Sequence, residues 1–477
     1  MYRRGIILFS LLGMIAVLAA AESAAPASTA SANLPGAKLG ALWCVPFVGL
    51  LLSMAILPLA APQFWHHHFG KVTAGWALAY LLPSSLLHGM EGTAAQLAHA
   101  TLAEYLPFLI LIGALFVIAG GVYLRGDLRG NPATNTLLLA IGTGIASIAG
   151  TTGAAMLLVR TVIRANAARP HNAHVLIFFI FLVANIGGAL SPLGDPPLFL
   201  GFLKGVSFFW PTTHLLLPML MTAGLVLGIF WAVDSHFYRK EPHREIHPAA
   251  ASQSLAIEGG INLLLLVGVV AVVLMSGLWK PGTHWMVLGT QVELQGLARD
   301  LLLIGLAALS LKLTPASCRE ANAFSWGPIL EVAKLFAGIF VTIIPVIAML
   351  RAGEHGAFAG VTKMVTGPDG HPNNAAYFWL TGVLSSFLDN APTYLVFFNT
   401  AGGDAQKLME VFPRTLMAIS LGAVFMGANT YIGNAPNFMV KSIAEERGVR
   451  MPSFLGYMAW SFAVLIPIFL LVTWVFF

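Results

Sequence analysis

Between residues 106 and 122 the chain reads LPFLILIGALFVIAGGV, with no charge, and comparable runs recur to the C-terminus. A bilayer interior offers no water to unpaired backbone groups, so a chain built of such runs crosses as helices that satisfy their own N–H and C=O groups. About 20 apolar residues suffice for one crossing. Runs of that kind fall near 40–60, 72–90, 104–123, 173–204, 211–233, 259–278, 299–313, 327–350, 411–441 and 453–477. Only 9% of residues are charged, against about 25% in soluble domains. The fold class is therefore an all-α polytopic membrane protein, and the net charge of +5 does not imply nucleic acid.

Arg3 and Arg4 precede an apolar run of roughly 15 residues, and Ala19, Ala20 and Ala21 then offer a cleavage site. Residues 1–21 read as a signal peptide and 22–38 as a periplasmic spacer. A first membrane repeat over 39–233, a cytoplasmic linker over 234–258 and a second repeat over 259–477 follow. This orientation puts fourteen lysines and arginines in inner loops and eight in outer ones, the bias expected of an inner-membrane protein with an external N-terminus.

The repeat is read from the residues themselves. Shifted by 239 positions, Ser147 falls on Ser386, Ala184 on Ala423 and Gly188-Ala189 on Gly427-Ala428. Ser191 falls on Thr430, Gly194 on Gly433, Asp195 on Asn434 and Pro197 on Pro436. Each half contains three spans, a helical hairpin, an interrupted span and a final span. If each hairpin re-enters, a half makes five crossings, and the second half must run in the opposite sense. Inverted repeats with broken helices meeting near the midplane are a secondary-transporter plan.

Two segments fix the hairpins. Residues 134–165 are too long for one helix across a roughly 30 Å core, and glycines at Gly150 and Gly153 around Thr151 and Thr152 permit a turn. In 374–401, Pro392 disfavours helix just before it, which places a turn at Asp389-Asn390. Irregular backbone at membrane depth survives only where it is buried in protein or lines a polar cavity. An intramembrane carboxylate costs about 2.5–3.5 kcal/mol on insertion scales and marks function by default. The candidate ion- or substrate-binding residues are thus Thr151, Thr152, Ser191, Asp195, Asp389, Asn390, Thr430 and Asn434, with Asp195 and Asp389 as sodium ligands. The plainer alternatives are that the two aspartates cap the helices that follow them, and that the hydroxyls and amides satisfy backbone.

Other polar features read as structural. His66, His67 and His68 are expected in an interfacial loop, and Glu104 and Glu331 at the starts of spans, where an acid suits the helix dipole. Cys44 and Cys318 form no metal or disulfide pattern. With no Walker loop, HExxH or GxSxG, no catalytic residue or cofactor is expected. An integral-membrane enzyme is the remote alternative.

NIGGALSPLGDPP (185–197) and SSFLDNAPTYL (385–395) resemble the ion transporter superfamily, over most of 40–477. The chain looks closest to its bacterial branch of citrate transporters and sodium:proton antiporters. The resemblance implies a scaffold that often forms a homodimer and a mobile domain carrying hairpins and broken spans, moving as an elevator. It places ion and substrate binding on the eight residues above. Dicarboxylate transporters of the superfamily carry Ser-Asn-Thr at both tips, whereas this chain has Gly-Thr-Thr-Gly and Asp-Asn-Ala-Pro. A citrate trianion beside two aspartates would meet strong repulsion, while two carboxylates with freed carbonyls suit exchange of Na⁺ for H⁺. Sodium/proton antiport is therefore the first expectation, with coupled transport of citrate or another carboxylate second. Symmetry also assigns the obligatory proton to Asp389, since Asn434 shows that the break holding Asp195 tolerates an amide.

Overall fold

Gly150 adopts φ +78°, a conformation that costs a glycine little, and there the helix Pro132–Ala149 stops and Thr151–Ala165 begins. The two arms pack together, and their far ends close by reciprocal Asn135–Asn166 hydrogen bonds of 2.9 and 2.8 Å. This is hairpin 1. Hairpin 2 joins Asn374–Phe387 to Asn390–Thr400 through Asp389, and Tyr377 on one arm meets Phe397 on the other with ring centroids 6.4 Å apart.

These elements belong to a computed structural model that describes residues 34–126, 128–241 and 256–477. The expected signal peptide, most of the spacer and the middle of the linker lie outside the described residues. Among the described residues, eight helices are long and apolar enough to cross a membrane, and the bent pair Gly327–Thr342 and Ile344–Arg351 would make a ninth.

The first half runs Val45–Ala60, Pro62–His88, then Met90–Ala119 with a π-helical turn at Ala100–Tyr105. Hairpin 1 follows, then a broken span of Ala173–Leu182 and Pro196–Leu203, then the long helix Trp210–Lys240. The second half repeats this order: Ile261–Leu278, Leu294–Leu313, the bent pair, hairpin 2, a broken span of Pro413–Met426 and Ala435–Glu446, and Phe454–Phe476. Break 1 covers 183–195 and break 2 covers 427–434.

Both breaks use the same local devices, 239 residues apart. Ser191 Oγ donates to Ser147 O, and Thr430 Oγ1 donates to Ser386 O. Ser147 Oγ donates to Gly187 O at 2.6 Å, and Ser386 Oγ to Met426 O at 3.1 Å. The amides of Leu193 and Ile432 donate to those same Ser191 and Thr430 hydroxyls, at 3.1 and 3.2 Å. A hydroxyl of each half's last helix then reaches the break: Thr212 to Leu190 O at 2.6 Å and Ser461 to Asn429 O at 2.7 Å. Side-chain hydroxyls thus satisfy several of the backbone groups freed by the breaks, as irregular backbone at membrane depth requires. A Cβ on Gly194 would stand 2.1 Å from Gly188 O, and one on Gly433 would stand 2.6 Å from Gly427 O, so both positions need glycine.

Several boundaries differ from the sequence reading. His66, His67 and His68 lie inside the helix Pro62–His88 rather than in a loop, because Pro62 at its first position starts the helix early. Glu104 sits within the π-helical turn in mid-span, paired with Lys204. Both described ends of the expected linker, 234–258, are structured. Helix continues to Lys240, held by the buried Asp234, whose carboxylate meets His174, Arg169 and Asn135 at 2.8, 2.6 and 2.9 Å. At its other end, Ala256–Glu258 pairs antiparallel with Tyr123–Arg125.

Candidate functional site

Pro196 and Pro197 restart the first broken span, and the residue before them takes the extended backbone that a following proline imposes. That residue is Asp195, at φ −132° and ψ 143°; its repeat mate Asn434 stands at φ −152° and ψ 137°. Neither caps its helix with its side chain, so both are free to turn toward the centre.

Asp195 is 1% exposed, and donors from three other elements converge on it. Thr151 Oγ1, at the tip of hairpin 1, donates to Oδ1 at 2.9 Å. Asn434 Nδ2, in break 2, donates to the same oxygen at 3.1 Å. Asn390 Nδ2, at the tip of hairpin 2, donates to Oδ2. Both tips and both breaks therefore share one carboxylate. The side-chain oxygen of the fully buried Asn390, Oδ1, has no hydrogen-bond partner among the described residues. An unpaired buried amide oxygen is destabilising, and it is the hard donor that an alkali or alkaline-earth cation prefers.

The other expected residues take different places. Asp389 Oδ1 accepts from Ala391 N at 3.1 Å, capping the second arm of hairpin 2. Ser191 and Thr430 bind backbone of the hairpin arms, as above. Thr152 lines a small cavity beside Asp195, walled by Leu111, Leu115, Phe116 and Phe199. Asp195 thus receives side chains from three other elements, while Asp389 holds its own helix.

Sequence reading passed over Asn185 and Asn437. Asn185, fully buried, donates to Ile180 O at 2.8 Å and to Asn437 Oδ1 at 2.7 Å, and accepts from Asn434 at 3.2 Å. Asn437 in turn donates to Gly427 O and Thr430 O at 2.8 and 2.9 Å. The two asparagines tie break 1 to break 2. The signal was present: Asn185 opens the GGALSPLGDPP stretch as an amide in an otherwise apolar run.

A mainly helical polytopic protein with a buried polar centre between interrupted helices belongs to the class of membrane transporters. Residues 36–477 match the family described as "Putative citrate transport", and the chain belongs to that family. No curated protein matches the sequence.

Proposed function

We propose that this protein is a secondary active sodium/proton antiporter working by alternating access, with Asp195 as the shared ion site. The observation that carries this reading is the convergence of Thr151, Asn390 and Asn434 on one buried carboxylate. A deprotonated Asp195, with Asn390 Oδ1 and oxygens of the breaks, holds Na⁺. A proton on the same carboxylate removes the charge that binds the cation, so the two occupants exclude each other. The recurrence of break geometry at a 239-residue shift supports two halves of inverted orientation with re-entrant hairpins. In this reading the hairpins and broken spans move past the remaining helices as a body, in a homodimer of the inner membrane with the N-terminus periplasmic.

Coupled citrate transport is the second reading, favoured by the family description. Two assays on one preparation separate them: Na⁺-induced collapse of a pH gradient in everted vesicles, and uptake of labelled citrate by proteoliposomes. Citrate uptake without Na⁺-driven proton movement would reject antiport.

A further inference from the structure

Arg160 lies in the second arm of hairpin 1, the helix Thr151–Ala165, which packs against the half-helix Ala435–Glu446. The residue is 8% exposed, and both Nε and Nη1 are buried without a hydrogen-bond partner. Among the described residues Arg160 makes no ion pair. Its charged neighbours are Arg447 and Glu446, both exposed at the end of that half-helix. One turn further on, Arg164 is engaged: it donates to Tyr123 Oη and Leu124 O. The position equivalent to Arg160 in the second half is Asn399. There the arm's side chain accepts from Arg351 Nε at 2.8 Å, so an unpaired guanidinium is no general property of this level of the fold.

Buried N–H donors left without partners are destabilising, and a guanidinium is the side chain best shaped to take a carboxylate or phosphate through two parallel hydrogen bonds. We propose that Arg160 is an oxyanion-binding site, separate from Asp195, which takes a carboxylate or phosphate group between hairpin 1 and Ala435–Glu446. Such a group is carried either by a small dissolved anion or by an anionic lipid headgroup.

The test is thermal melting of the full-length protein in neutral detergent. One arm titrates Tris citrate and Tris phosphate against choline chloride at matched ionic strength. The other replaces phosphatidylcholine by phosphatidylglycerol in bicelles, without added oxyanion. A saturable rise in melting temperature in the first arm assigns a dissolved anion, and a rise only in the second assigns a lipid. The rise should vanish in R160Q, and R160K should need roughly tenfold more ligand, since an ammonium lacks the planar fork. Without ligand, R160Q should melt no lower than the wild type, because it removes an unpaired buried charge. No rise in either arm, a rise that survives in R160Q, or an R160Q protein that melts lower without ligand overturns the site. Should R160Q fail to fold, the wild-type titration and R160K decide. D195N keeps the rise, so loss of antiport and loss of the oxyanion site are read separately.

Discussion

A carboxylate held by one hydroxyl and two amides from three other elements is a centre that a single atom exchange can silence. Asp195→Asn preserves size but neither binds a cation by charge nor exchanges a proton, so Na⁺-driven proton movement in everted vesicles should fall by a factor of roughly 100 or more. Wild-type exchange in a folded D195N protein would sink the assignment. Asp389→Asn should behave differently. Asparagine caps a helix about as well as aspartate, so exchange should persist, with at most a raised Na⁺ requirement; complete loss in D389N would return the obligatory role to Asp389. Asp195 was legible because a charge in an apolar run announces itself, and Asn434 because the repeat aligns it. The cap at Asp389 was weighed but could not be chosen, since a carboxylate one residue before a helix reads the same whether it faces a ligand or its own backbone. Asn185 was passed over because, although it stands out as an amide in an apolar run, its partners, at about 250 residues' remove, become visible only once folded beside it.

At the scale of elements, the two breaks make a matched pair of tests. Gly194→Ala forces a Cβ to within 2.1 Å of a backbone oxygen and Gly433→Ala to within 2.6 Å. Overpacking of this kind costs about 1–3 kcal/mol, and melting should show the larger loss at Gly194. Equal stability of both variants and the wild type would mean that the breaks yield freely. The ion pair of Glu104 with Lys204 joins the π-helical turn of one span to the end of the first broken span. Glu104→Gln strands a largely buried ammonium, a loss of about 3 kcal/mol, and adding Lys204→Met should recover most of it in a double-mutant cycle. Breaks and hairpins were readable from glycine, proline and length. Pairing across 100 residues was not, because a first-turn acid and a mid-span acid look alike until helix boundaries are known.

For the whole molecule, the order of elements and the hydrogen bonds of the breaks recur in both halves, and the proposed opposite sense of those halves can be checked directly. Single cysteines placed in 243–250 should react with an impermeant reagent only from the inner face, whereas labelling from outside alone would invert the arrangement. The repeat was visible in sequence because a short ordered motif survived in both halves, whereas the asymmetry that matters is one residue wide: aspartate in one break, asparagine in the other. That difference sets how the transporter meets the membrane voltage. In the proposed antiport Asp195 is charged when empty and compensated by either Na⁺ or a proton, while Asp389, bonded to Ala391 N as a cap, contributes the same charge in both crossings. The two loaded crossings then carry equal charge, and one full exchange moves no net charge. Exchange in proteoliposomes should therefore leave a potential-sensitive dye unmoved and reach the same final ion gradients with the potential clamped at zero or at about −100 mV, where a single uncompensated charge would add about 2.3 kcal/mol of drive. In the proposed antiport the amide of Asn434 adds no further titrating charge to the centre, so exchange answers only to the two ion gradients.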